Sequence, residues 1–519
     1  MRKLVVLLTA ILLMVPTVSA KGWAVKYAIK DATFIYPAQP LLSDGTLYLA
    51  SVYEVNYTKG RFYLLALDTR SGELKLAERL IFKVNGTEVA ARELTEGKRG
   101  ILRPLPNGNL LAVFPAKRLR SSFSAMIIAE LKKDGSVVWA KYYQLSVSSG
   151  GKTRPRELMP VDALVTNSAI YILAQSISWQ RPVTVLIRLA SDGTLLWARS
   201  FTTADIGAKP IGIELSPDGR VLMLVSVLRP LLFWIGENGN ITKGIAVNLP
   251  HGYILTGLLV KDGKIYIAGS LKPELYEPFL LALDGNGNPL WAEKFPKSGY
   301  TFVSFILKED FYILGSAGST LQEGGSDYRR RVWVLSLDGS GKPRWNIVTG
   351  DSMIDDRLGG IAVGDNVYVT YYKNFLMDPG LVFLAIGKDG SLVCQANNPE
   401  LRTQKFSVST ESIGSIKSEN AIVSASTLNA ETKKLNLSKK GLCSEVKPTS
   451  TSKPKSTTST VHRQTGTSTS PKIKVTTSSP SRSSTTGTPG PSTSEEKGKT
   501  CGPAFFAVLS LLPLLRRRF

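Results

Sequence analysis

The sequence predicts an all-β chain folded as an eight-bladed β-propeller, with a seven-bladed ring as the alternative. Three observations predict it. A phrase of strand, tight turn and tryptophan-led strand recurs, as in "MIIAELKKDGSVVWAKYY" from Met126, "VLIRLASDGTLLWARSF" from Val185, "FLLALDGNGNPLWAEKF" from Phe279 and "VWVLSLDGSGKPRWNIV" from Val332. Its last strand opens at Trp139, Trp197, Trp291 and Trp345, with Leu76, Lys243 and Cys394 at the same point elsewhere, giving spacings of 63, 58, 46, 48, 54 and 49 residues. Such periods, with short strands and no sustained helical periodicity, fit propeller blades rather than helical solenoids.

Each element has a local reason. The first strand of a unit appears eight times, at Leu47, Leu110, Ile170, Val221, Ile265, Phe311, Val367 and Ala421. Partners such as Tyr63 to Leu67, Phe279 to Leu283 and Val382 to Ile386 follow. Then come Asp134-Gly135, Asp192-Gly193, Asn238-Gly239, Asp284-Gly285, Asp338-Gly339 and Asp389-Gly390. These dipeptides tolerate positive φ and so suit hairpins. The tryptophan then gives the outermost strand a large apolar anchor against the sheet. "GWAVKY", Gly22 to Tyr27, reads as an outermost strand with no blade before it; it is expected to complete a final blade whose first strands lie near Phe406 to Leu437. A ring clasped in this way leaves no unpaired end.

The two ends differ from the repeat. Residues 1–20 carry Arg2-Lys3, an apolar run from Leu4 to Val15, and Val18-Ser19-Ala20, the zones of a secretory signal peptide. Residues 21–443 form the propeller. Residues 444–500 are Ser, Thr, Pro and Lys rich with almost no large apolar side chain, so a disordered stalk is expected there. Residues 501–519, "CGPAFFAVLSLLPLLRRRF", hold an apolar run from Ala504 to Leu515 closed by three arginines. Of the formal net charge of +23, +12 falls on residues 21–443, without a basic stripe interleaved with aromatics, so nucleic acid is not an expected partner.

Chemistry-bearing residues are few. His251 and His462 are the only histidines, which excludes a histidine-rich metal site. Asp351, Asp355 and Asp356 in "GDSMIDDRLGG" are the candidates for holding a metal, calcium, or for glycoside hydrolysis; pairing with Arg357 is the plainer reading. Arg329, Arg330 and Arg331 form a basic rim or an anion site. Cys394 and Cys443 are disulfide candidates in an oxidising exterior. Asn56, Asn85, Asn240 and Asn436 head N-x-[ST] sequons, the glycosylation candidates.

Two resemblances add to this. The last residues, with Cys501, Gly502, Pro503, the apolar run and Arg516 to Arg518, resemble the CGP-CTERM sorting signal of archaeal surface proteins. That resemblance implies recognition of the tail by a sorting enzyme, with Cys501 the lipid attachment residue. The phrases "LALDTRSGELKLAERL" and "LALDGNGNPLWAEKF" resemble the repeat of quinoprotein-like propellers. The dehydrogenases among these carry vicinal cysteines and calcium ligands at a quinone site, whereas no adjacent cysteines occur here. The expectation is therefore a monomeric, non-catalytic binding or protein-interaction module with no cofactor, facing outward from the cell membrane and held by its C-terminal tail. An extracellular protein or a polysaccharide is its expected partner. An extracellular carboxylate-based hydrolase of glycans or peptides is the alternative.

Overall fold

The computed structural model describes residues 22–441, except 56–58, 92–99, 118–123, 150–151, 179–180, 203–206, 250–251, 272–276, 296–299, 303–305, 309–310, 320–329, 349–356, 374–379, 393–403, 406–408, 413–416, 421 and 435–436. The chain divides into two units, residues 1–448 and 449–519, and all described residues belong to the first. Every regular element among them is a β-strand.

The strands form antiparallel meanders in chain order. The third is representative: Met159–Val165 is innermost, followed by Ile170–Ser178, Arg181–Leu189 and the outermost Leu195–Thr202. Seven such meanders occur among the described residues. Ala91 pairs with both Gly60 of the first and Ala116 of the second and joins them into one continuous sheet. The β-propeller accordingly has six blade sheets, the first of them double. Both the eight-bladed ring and its seven-bladed alternative are corrected by this count.

Middle strands such as Thr46–Val55 and Ser124–Leu131 are buried on both faces, so their side chains alternate between two neighbouring interfaces. Seven apolar clusters result, each shared by consecutive meanders. Ile172, Val185 and Ile187 pack with Val113, Met126 and Ile128 of the meander before, while Leu173 and Leu186 pack with Met223 and Phe233 of the meander after. Tyr368, Leu381 and Phe383 of the last meander pack with Leu47, Leu49 and Leu65 of the first, which closes the ring.

The N-terminal strand Ala24–Ile29 is the clasp. It lies antiparallel to Gly380–Gly387, with Ala24 opposite Leu384 and Tyr27 opposite Leu381. The blade that it completes is the seventh meander, not an eighth. The residues read as an eighth blade do something else: their strands add one at a time to the outer edges of other meanders. Ile422–Thr427, for instance, pairs with Val137–Ser149. The reason is composition. A strand inside a blade is apolar on both faces, whereas "STES", "KSEN" and "NAETKK" can be accommodated only at a solvated edge.

The turn between third and outermost strands has one geometry in the second to seventh meanders and one extra residue in the first, where Asp68 N bonds Glu73 O and Gly72 N bonds Asp68 O. In the third meander Ala190 N bonds Thr194 O and Gly193 N bonds Ala190 O, a tight turn whose fourth residue is a left-handed glycine. This corrects two of the dipeptides. In "DGNGN" and "DGSGK" the positive φ falls on Gly287 and Gly341, two residues beyond Gly285 and Gly339, because Asp284 and Asp338 themselves open the turn.

The tryptophan of one meander packs on this glycine in the next. A Cβ on Gly193 would lie 2.6 Å from Trp139 Cζ3, one on Gly341 2.5 Å from Trp291 Cζ3, and one on Gly72 2.7 Å from Trp23 Cε3. Three indoles also donate to the adjoining turn, from Trp23 to Thr69 O at 2.9 Å, Trp197 to Glu237 O at 2.8 Å and Trp345 to Lys388 O at 2.7 Å. The tryptophan thus latches adjacent meanders together. Gly193→Ala is expected to cost about 2 kcal/mol or more, from left-handed strain plus displacement of Trp139. Gly108→Ala, at φ +82 with nothing within 4 Å of the new Cβ, isolates the strain alone at about 1 kcal/mol. Urea midpoints of the two variants read the difference.

Candidate functional site

The centre of the ring is where the sequence departs from its own repeat. The innermost strands Leu41–Ser43, Ile101–Pro104, Met159–Val165, Lys209–Leu215, Tyr253–Lys261, Ile306–Lys308 and Arg357–Val363 each lie against the next around the axis. Four carry a bulge at the same point, between Pro160 and Asp162, Pro210 and Gly212, Leu255 and Gly257, and Leu358 and Gly360. Three of these bulges end in glycine. Crowding explains the clearest case, since a Cβ on Gly360 would lie 2.5 Å from Gln39 Cα. The third meander places Asp162 there instead.

Asp162 Oδ1 accepts from its neighbour Ala163 N at 2.8 Å and from Arg103 Nη2. Its Oδ2 accepts from Ile213 N at 3.2 Å. Arg103 Nε donates to Ala163 O at 2.8 Å and Nη1 to Leu102 O at 3.1 Å. One ion pair therefore ties together the innermost strands of three consecutive meanders, with side chains 20% and 21% exposed. This arrangement positions backbone. A carboxylate engaged through both oxygens, and a guanidinium engaged with two carbonyls as well, are poorly placed to move a proton.

Other acids are engaged one at a time. Buried Glu130 accepts from Trp139 Nε1 at 2.7 Å, Asn107 Nδ2 at 2.8 Å and Asn109 Nδ2 at 2.5 Å. Buried Glu54 accepts from the Tyr36 hydroxyl at 2.6 Å. Asp134, Asp192 and Asp389 each cap the backbone N–H two residues on and the hydroxyl beside it, and these bonds hold their carboxyls below the usual range. Lys75 beside Asp68 holds that carboxyl down to about 2.

These depressed values fix a sign. A carboxyl with a lowered folded-state pKa stabilises above its unfolded value, about 4, and loses that contribution as pH falls through the folded value. Denaturant midpoints are expected to fall between about pH 4 and pH 2, and Asp68→Asn should flatten part of the fall. The exposed setting limits Asp68 to at most about 1 kcal/mol.

Of the residues singled out from sequence, Asn85 and Asn240 are exposed, and Asn85 sits in a turn at φ 48. Arg330 and Arg331 enter the strand Arg330–Leu337, opposite Gly318 and Ala317. Arg357 opens Arg357–Val363. Asp351, Asp355, Asp356, His251, His462, Arg329, Cys394, Cys443, Cys501, Asn56 and Asn436 lie outside the described residues. Among the described residues, no three His, Cys, Asp or Glu side chains gather as a metal site would require. Sequence reading missed Arg103 and Asp162. Aligning "PVDA" of the third innermost strand with "PIGI" of the fourth marks Asp162 as an oddity; Arg103 carries no such mark.

No protein-family model matches the chain, and no curated protein matches it. Solved structures do show likeness. A protein of unknown function from Bacteroides caccae is 16% identical, with 52% of this chain and 90% of that chain covered at a TM-score of 0.31. The quinohemoprotein alcohol dehydrogenase ADHIIG from Pseudomonas putida HK5 is 11% identical, with 74% and 79% covered at 0.39. The polysaccharide lyase Uly1 is 8% identical, with 69% and 91% covered at 0.43. At such values none of these carries an activity to this chain.

Proposed function

We propose that the chain is an extracellular, non-catalytic binding module. In this reading a rigid ring is held at the outer face of the membrane by the Ser/Thr-rich stalk of residues 444–500 and the tail of residues 501–519. The observation that supports it most is the use of Asp134, Asp192, Asp389, Glu130 and Asp162, each of which serves as a turn cap or a strand tie. An extracellular protein or polysaccharide is the proposed partner. Cys501 is the proposed lipid attachment, and exposed Asn85 and Asn240 are proposed glycan acceptors.

We also propose a disulfide between Cys394 and Cys443. These residues flank in sequence the C-terminal segment of edge strands, so the bridge would close that segment into a loop of about fifty residues. The chain-entropy relation puts such a loop at about 4 kcal/mol, so reduction is expected to lower the denaturation midpoint accordingly. Thiol titration of residues 21–443 under denaturing conditions reads the bridge directly: no free thiol is expected, and two would remove it.

Thermal unfolding of residues 21–443 against oligosaccharides, peptides and calcium tests the function. A ligand at 100 times its dissociation constant adds about 2.7 kcal/mol. A shift without turnover supports the binding reading. Product release from a glycan or peptide would overturn it.

A further inference from the structure

The described part of the chain ends in a segment that travels backwards around the ring. Gln404–Lys405 pairs with Pro289–Lys294 of the fifth meander, Ser409–Ser412 with Ile241–Asn248 of the fourth, and Lys417–Asn420 with Leu195–Thr202 of the third. Ile422–Thr427 then pairs with Val137–Ser149 of the second, Asn429–Lys434 with Leu74–Val84 of the first, and Leu437–Gly441 with the N-terminal strand Ala24–Ile29 of the seventh. Each strand is antiparallel to the outer edge that it meets, and together they form a strap.

The strap and the ring are built differently. Among the strap side chains described, Leu428 is buried in the cluster between the first and second meanders. Its N donates to Ala140 O at 2.9 Å. Around it, Ala430 and Leu437 are half-buried, Glu431 pairs with Lys83, and Thr432 to Lys434 are exposed. Backbone pairing spans six residues on each of the first two meanders, four on the third and fourth, two on the fifth and five on the N-terminal strand.

Register decides how the strap opens. Gly441 stands opposite Val25 and Leu437 opposite Ile29, so the C-terminal end of the strap lies beside the N-terminal end of the clasp. Tension between those ends opens the pairs one after another instead of shearing them together.

We infer that the outer rim is a strand-binding track whose occupant, residues 404–441, opens as a separate unit from its C-terminal end while the ring stays closed. Single edge strands joined to a closed core by short ladders open below the global stability. The track itself follows from the pairing alone; its service as a tension-released strap rests on the proposed anchoring of the C-terminus and belongs to the reduced form of the proposed Cys394–Cys443 bridge, because the closed bridge carries the load past residues 404–441.

Single-molecule pulling tests it. The full chain is held ahead of Gly22 and beyond Gly441, in a Cys394→Ser/Cys443→Ser background. Stepwise extension totalling about 130 Å, the reach of some 38 extended residues, is expected below the force that ruptures the ring. Oxidising a Lys83→Cys/Asn429→Cys pair, whose positions are register partners, should stop the opening after about 12 residues, or about 40 Å. A single rupture with no earlier extension overturns the inference, as does full extension in the cross-linked variant. Fractionation of cells making the full chain tests the anchoring separately: recovery in the soluble exterior removes the tension role and leaves the pulling result to decide the track.

Discussion

Replacing Trp333 by alanine is expected to lower the unfolding free energy by about 3–5 kcal/mol. The side chain is fully buried between the fifth and sixth meanders, among Leu280, Ala282, Ile313 and Leu335. Adjacent meanders meet through side chains, so a cavity here weakens the contact that holds two sheets together. Trp197→Ala provides the comparison. That indole is part of a latch at the rim, with one bond to Glu237 O at 2.8 Å, and its loss should cost about 1–2 kcal/mol. Urea titration of both variants gives the order. A rim latch that costs more than the buried tryptophan would mean that turns, not interfaces, hold the ring.

The second large effect concerns the clasp. Tyr27 is buried on the N-terminal strand, meets Phe383 edge-on at 6.1 Å and donates its hydroxyl to Gly72 O at 2.7 Å. It therefore joins the last meander to the first. Burial, with Glu73 nearby, pushes the hydroxyl up to about 12. Tyr27→Ala is expected to cost about 3–5 kcal/mol, and Tyr27→Phe, which keeps the ring and loses the bond, about 1 kcal/mol. Both should be read by denaturation at constant protein concentration. Equal costs for the two variants would place the effect in the hydrogen bond rather than in the packing of the seam.

Much of this architecture was legible in the residues. Apolar strands such as "YLLAL" and "FLLAL" state that both faces are buried, the turn dipeptides mark most of the hairpins, and "GWAVKY" reads as an outermost strand seeking a sheet. The clasp followed from that reading. The fate of residues 404–441 did not, for a physical reason. A polar strand such as "NAETKK" carries no packing instruction, and its partner is whichever edge the ring leaves within reach. Trp139 illustrates a middle case: its spacing announced packing, but that it packs on the next meander's Gly193 is a property of the assembled ring. Asp162 was hidden because its role depends on a bulge that brings Ile213 N and Arg103 to it.

Native-state hydrogen exchange at residues 22–29 tests the closed ring most directly. Lys26 and Tyr27 lie between Gly380–Gly387 on one side and Leu437–Gly441 on the other. If the N-terminal strand closes the propeller, its amides that bond to Gly380–Gly387 exchange as slowly as those of that strand and open only with the ring. Exchange of residues 22–29 at the rate of a free chain end, with Gly380–Gly387 still protected, would contradict the account.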